Sequence, residues 1–205
     1  MPDGRHVRAL DDLSAADVAV AGGKGANLGE LVRAGMPVPR GFVVTTEARA
    51  DSAGGTVPDE VAAAVVSAYA ELGSPPVAVR SSATAEDSPE ASFAGLHETY
   101  LDVRGTDGVL DAVARCWASL DTDRAVSYRA ERGLSDEAAA IAVVVQEMAP
   151  HEVAGVVFTA NPLSGSRDEL LVNAAPGSGE ALVGGEVVPD QWVARRPDGA
   201  VLSFE

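Results

Sequence analysis

Lysine is almost missing from this chain. Of 15 basic residues only one, Lys24, is a lysine; the other 14 are arginines. Cysteine is down to a single residue, Cys116, which excludes an internal disulfide and any cysteine-based zinc cluster. Aromatic residues make up 4%, so a core drawn from the 46% hydrophobic content has to be mostly aliphatic. Positive charge is outweighed to a net −16, which argues against nucleic acid or an anionic membrane surface as the main partner. No run approaches the ~18 apolar residues of a membrane span, and the opening MPDGRHVRALDDLS has no apolar signal core. The three histidines, His6, His97 and His151, lack metal-ligand spacing, and no nucleophile constellation can be argued from spacing. The expectation is an acidic, soluble, cytoplasmic protein of helices and strands, with one ordinary domain or two small lobes in its 205 residues.

What is present is concentrated in a few stretches. Residues 17–21, DVAVA, read as a short strand, and Gly22, Gly23 and Gly25 as a turn. Leu28, Leu31 and Val32 follow at helical spacing, and Gly35 stops that helix. GFVVTTEA (41–48) reads as a strand and 49–57 as a polar connection. Pro58 and Asp59 start a helix with Val61, Val65, Tyr69 and Leu72 on one face. PPVAVRSS (75–82) is the next strand, 83–95 a long polar loop, and TYLDV (99–103) another strand. A helix over 107–120 buries Leu110, Val113, Trp117 and Leu120, and a more polar one covers 122–132. Strands are expected at 141–148, 153–160, 169–174, 186–195 and 200–204, antiparallel where the connections are short. The fold class is α+β, with a lobe boundary near 133–140.

Three stretches carry chemistry. A glycine turn leading into a helix can present backbone amides to an anion, which makes Gly22 and Gly23 candidate ligand contacts. Lys24 sits inside that turn, where a compact ammonium fits a tight phosphate pocket that a wide guanidinium would not; the alternative is a surface lysine that survived by chance. The stretch is not a Walker A loop, because Gly25 rather than Ser or Thr follows the lysine. Arg80 ends an apolar strand beside the hydroxyls of Ser81, Ser82 and Thr84, a set suited to clamping phosphate oxygens; the alternative is a surface pair with Glu86 or Asp87. The following loop of small polar residues can serve as a mobile flap. In AVVVQEM (142–148) a strand edge could offer one carbonyl and one amide to adenine, though on the residues alone a plain core strand is the favoured reading.

Together these stretches resemble one family. GGKGANLGELVRAGMPVPRGFVVTTEA, VAVRSSATAEDSPEASFAGLHETYLDV, VVVQEMAPHEVAGVVFTANPLSG and GSGEALVGGEVVPDQWV are similar, in the same order, to blocks of the ATP-binding domain shared by phosphoenolpyruvate synthase, pyruvate phosphate dikinase and rifampicin phosphotransferase. The resemblance implies an ATP-grasp-like fold spanning 1–205, two lobes of mixed and antiparallel sheets with flanking helices, truncated at its C-terminal part. It implies that Lys24 and Arg80 bind the ATP phosphates and stabilise charge during transfer. Gln146, Glu147 and Met148 would line adenine and ribose, largely through backbone; Glu180 would lie near the ribose or triphosphate; the 83–95 loop would close over the nucleotide. In such relatives ATP is cleaved to AMP and a phosphoryl group passes to a histidine on a swivelling domain, then to pyruvate or a drug hydroxyl. Relatives usually carry a longer helical insertion where 47–76 is compact here, and their GLGE is GSGE with Ser178. Mg2+ is implied, with its ligands expected outside this chain, as are the phosphohistidine and pyruvate domains. The expected function is therefore an ATP-binding module that needs a phosphohistidine partner, and the alternative is a non-catalytic nucleotide-binding or regulatory relative.

Overall fold

The computed structural model describes residues 4–52, 56–84, 98–122 and 140–205. The chain divides into two compact units, Met1–Met148 and Ala149–Glu205. The first runs β1 (Val7–Ala9), α1 (Val18–Arg33), β2 (Gly41–Val44), α2 (Thr46–Ala50), α3 (Asp59–Glu71), β3 (Val77–Ala83), β4 (Thr99–Val103), α4 (Gly105–Ala118) and β5 (Ile141–Glu147). The second runs β6 (Val153–Phe158), β7 (Glu169–Pro176), α5 (Gly179–Val183), β8 (Asp190–Arg195) and β9 (Val201–Phe204).

A strand that is apolar at every position, as IAVVV is, must bury both faces. β5 does so in the middle of a five-stranded sheet of order β1-β2-β5-β3-β4. Its odd-numbered residues Ile141, Val143 and Val145 face a core shared with α3 and α4; Ala142 and Val144 face a smaller core that includes Leu13 and Ala21. α4 supplies Val109, Ala112, Val113, Cys116 and Trp117, the i, i+3, i+4, i+7, i+8 spacing of one helical face. α3 supplies Val61, Val65, Ala68 and Tyr69, and the Tyr69 hydroxyl donates to the Pro75 carbonyl at 2.7 Å, which satisfies the one polar atom that ring carries inward. Burial pushes the Cys116 thiol up to about 12, so it behaves as a small packing residue.

α1 lies on the opposite face and is built to approach closely. A Cβ on Gly29 would stand 2.6 Å from that of Leu13. At Gly22 the helix breaks: φ is 67° and ψ 174°, a region open essentially to glycine alone. A Cβ there would lie 2.1 Å from the Ser82 carbonyl oxygen. Upstream, Ser14 and Asp17 form a reciprocal capping box, with the Ser14 N–H donating to the Asp17 carboxylate at 2.8 Å and its hydroxyl at 2.7 Å.

The second unit is the antiparallel meander β6-β7-β8-β9. Val157, Val172, Trp192 and Phe204 are successive cross-strand partners, one file across its four strands, with the Trp192 and Phe204 rings 5.1 Å apart. Asn161 is buried at the β6–β7 connection, donating to the Glu169 carboxylate at 2.7 Å and accepting from the Leu163 N–H at 2.9 Å.

The α+β class holds, with two sheets and several helices, but several expectations need correction. Both sheets are antiparallel throughout, so the mixed sheet is not found among the described residues. Residues 17–21 are not a strand: the capping box starts a 3-10 turn over Ala15–Asp17 that leads directly into α1, whose first turn is 18–21, and four apolar residues alone cannot distinguish a helix from a strand. The strand expected over 41–48 stops at Val44, where Thr45 caps α2 by accepting from the Ala48 N–H. β5 and β6 do not pair across their short connection; they belong to different sheets. The strand expected over 186–195 covers only Asp190–Arg195, and α5 was not anticipated. The helix expected at 122–132 and the loop beyond Thr84 fall outside the described residues, apart from Thr122, as does the lobe boundary apart from Ala140.

Two variants test this account. Gly22→Ala forces an alanine into the glycine-only region, an expected loss of about 1–3 kcal/mol in chemical unfolding before the clash with Ser82 is counted; an unchanged midpoint would overturn it. The hydrogen bond from the Ser14 hydroxyl, with further help from the Ser14 N–H and Arg8, holds the Asp17 carboxyl below its ordinary value against the opposing effect of burial. A lowered folded-state value means stability present above the ordinary carboxylate range and lost as pH falls through the lowered one. Asp17→Ala should therefore cost about 1 kcal/mol near neutrality, and the gap from the parent should close in acid.

Candidate functional site

Directly paired residues in an antiparallel sheet share a face, so the register of β3 on β5 fixes where each side chain of VAVRSSA stands. Ala78, Arg80 and Ser82 pair with Gln146, Val144 and Ala142. Val144 and Ala142 belong to the core beside α1. Arg80 therefore stands, half-buried, on the α1 face of the sheet. Ser82, two residues along the same strand and fully buried, is the residue that Gly22 touches. The glycine break and Arg80 thus share one face of one sheet, a strand step of roughly 7 Å apart along β3.

Gly22 and Gly23 are buried, and Lys24 lies half-buried in the helical segment that restarts after the break. The turn expected over Gly22–Gly25 is thus a one-residue interruption, and the lysine sits near a helix N-terminus, where the helix dipole favours negative charge. The Lys24 charge is felt at Cys116: after burial and Glu98, which raise that thiol, Arg115 and Lys24 act in the lowering direction. Arg115 also lies 4.0 Å over the Tyr100 ring.

The other expected site residues divide sharply. Ser81 pairs with Val143 and faces the α3–α4 core; its hydroxyl accepts from the Glu98 N–H at 3.1 Å and so fastens the start of β4. Thr84 lies just past β3, its N–H donating to the Ala140 carbonyl at 3.0 Å. Gln146 shares the Arg80 face, but its side chain is buried and its Nε2 donates to the Pro39 carbonyl at 3.1 Å. The Glu147 N–H donates to the Arg40 carbonyl at 2.8 Å and the Met148 N–H to the Pro76 carbonyl at 3.0 Å. The strand edge offered to adenine in the sequence is thus the middle of a sheet, flanked by β2 and β3, and both of those amides are engaged. Glu180 is exposed in the first turn of α5, within the second unit.

One residue escaped the sequence reading, and another has a different role from the one expected. Arg40 braces the end of β5: its guanidinium donates to the Leu72 carbonyl at 2.7 Å and stands 3.5 Å from the Glu147 carboxylate. No local pattern marks it. Ser82, grouped in the sequence with Ser81 and Thr84 as a phosphate-clamping hydroxyl, is set apart from Ser81 by strand alternation, which puts it on the arginine's face, and its hydroxyl is bonded to α1 instead. Among the described residues no group of three or more His, Cys, Asp or Glu could hold a metal ion, and no helix is long and apolar enough to cross a membrane. A cavity of about 570 Å³ lies elsewhere in the first unit, lined by Arg8, Leu10, Val38, Arg40, Phe42 and Leu72; neither Lys24 nor Arg80 lines it.

Comparison with known proteins agrees with the four sequence blocks. The family model described as pyruvate phosphate dikinase, AMP/ATP-binding domain, matches residues 18–53 and 52–205. The chain is 38% identical to phosphoenolpyruvate synthase of Pyrococcus furiosus, over 94% of this chain and 33% of that protein. It is 40% identical to the probable phosphoenolpyruvate synthase of Methanothermobacter thermautotrophicus, over 98% of this chain and 35% of that protein. Rifampicin phosphotransferase of a Streptomyces species is 45% identical, over 94% of this chain and 27% of that protein. The chain thus spans about a third of the length of the curated relatives it matches. With the match running over nearly every residue from the first helix onward, the chain belongs to the pyruvate phosphate dikinase AMP/ATP-binding domain family.

Proposed function

We propose that this chain is the ATP-binding module of a phosphoenolpyruvate synthase- or pyruvate phosphate dikinase-like phosphotransferase. It binds ATP for transfer of a phosphoryl group to a histidine on a separate domain or chain, and from there to pyruvate or another small molecule. The observation that carries this is the contact of the glycine break with the strand bearing Arg80, which brings a lysine-bearing helix start and a half-buried arginine onto one face.

In this reading Lys24 and Arg80 hold the phosphates. Phosphoryl transfer asks little covalent chemistry of a protein; it asks for charge held in place as the bond to the leaving oxygen breaks and the bond to the acceptor nitrogen forms. A compact ammonium and a planar fork do this differently: the lysine acts as a point charge, the arginine spans two oxygens. Local charge matters the more because the chain is net −16 and repels an anionic ligand at long range. Gly22 and Gly23 give the phosphates a close approach to backbone. Base contacts from Gln146, Glu147 and Met148 rest on their carbonyls, since the Glu147 and Met148 amides already have partners. Glu180, Ser81 and Thr84 belong to the same proposal through the family resemblance alone. Magnesium would lower the charge of bound ATP; among the described residues no group of three or more His, Cys, Asp or Glu could hold it.

Titration calorimetry tests the binding. ATP should bind the chain, and Lys24→Ala or Arg80→Ala should each weaken it at least tenfold, about 1.4 kcal/mol. Arg80→Lys should recover only part of the loss, because an ammonium cannot span two oxygens. Unchanged affinity in both alanine variants would remove the phosphate role. AMP should form when a histidine-bearing partner domain is supplied, and its absence would leave binding without transfer.

A further inference from the structure

The two cations of the proposed site sit on different elements, and one buried side chain joins those elements. The Ser82 hydroxyl donates to the Ala21 carbonyl at 2.9 Å and accepts from the Gly25 N–H at 3.2 Å. Both groups are left over by the break at Gly22. Ala21 ends the first helical stretch, so its carbonyl has no regular helical partner, and Gly25 lies in the first turn of the second, where amides point away without an acceptor. One hydroxyl therefore caps both stretches at once. The two groups it holds bracket Lys24, and Arg80 stands two residues up the same strand on the same face. The absence of a side chain on Gly22 permits the approach, since a Cβ there would also lie 2.4 Å from the Ser82 oxygen.

We infer that Ser82 is a positioning residue that sets the separation of Lys24 from Arg80, and with it the spacing of the phosphate clamp. It touches no ligand; both polar functions of its hydroxyl are spent on the break. Alanine at this place leaves the Ala21 carbonyl and the Gly25 N–H without their partner in a buried setting, and the turn is then free to drift from the strand. The inference rests on the reading of Lys24 and Arg80 as phosphate ligands, and its test separates the two.

ATP and adenosine are titrated into the full chain, into Ser82→Ala, into Lys24→Ala and into the double variant, with folding checked by circular dichroism. Ser82→Ala should weaken ATP about tenfold and leave adenosine within about twofold, and the Ser82→Ala effect should fall below about twofold once Lys24 is gone, because neighbours that act through one another are non-additive. Exchange of the Gly25 amide should quicken in Ser82→Ala relative to core amides of β5. A loss of ATP affinity that is equal with and without Lys24, or equal for ATP and adenosine, would show Ser82 to be a packing residue only and overturn the inference. Should Ser82→Ala fail to fold, Ser82→Cys keeps the side chain's shape with a much weaker donor and enters the same cycle. If Lys24→Ala and Arg80→Ala both leave ATP affinity unchanged in the Ser82 chain, it is the phosphate reading that has failed instead.

Discussion

A helix that carries a lysine can be held to a sheet by apolar packing, but packing alone allows sliding. In this protein the first helix meets the third strand at a point where neither side has an atom to spare. Gly22 brings no side chain, its backbone adopts angles that other residues avoid, and the oxygen atoms of Ser82 occupy the space a methyl group would need. The close approach fixes distance, and the paired hydrogen bonds of one hydroxyl fix register. The small residues of α1, Ala21, Gly25, Ala26 and Gly29, are all buried, which is the geometry of a helix drawn down onto a sheet. A bulkier helix would ride higher and would carry its lysine away from the arginine.

The neighbouring strands make that contact rigid. β3 and β5 are the longest pairing in the first sheet, with seven consecutive partners, and β5 is apolar on both faces. An arginine placed in such a strand inherits its stiffness. The same order explains why the end of β5 is so fully tied: the Arg40 and Pro76 carbonyls take the two amides that follow Gln146, and the Arg40 side chain reaches both Leu72 and Glu147. The end of this strand is therefore an anchored platform.

Elements with strong local signatures were legible from the residues. TYLDV is β4 to the residue, and the helices of 59–71 and 105–118 bury the faces their spacing marks out. Leu110 and Leu120 are only partly buried, because Val109 and Ala112 take the centre of that face. Misreadings arose where short-range signals compete. VAVA alternates no more like a strand than like a helix, and its fate is decided by Ser14 and Asp17 before it. TTEA looks extended until the Thr45 hydroxyl turns inward to cap a helix and donate to the Arg5 carbonyl. Lys24 and Arg80 could be singled out by composition and by strand position, but that Arg80 stands on the α1 face of the sheet follows from register, which is a property of pairing and is not written in either segment. The central place of β5 is likewise a matter of topology. Two of the four blocks that carry the family resemblance meet at a contact that tolerates few substitutes, Gly22 against Ser82.

Lys24 also has a practical consequence. Being the sole ε-amine in the sequence, it offers a chemist one address on the side chains: acylating or imine-forming reagents have a single internal target, half-hidden beside a crowded helix break. A tag attached there would report directly on traffic through this part of the first unit, and no engineering would be needed to make it unique.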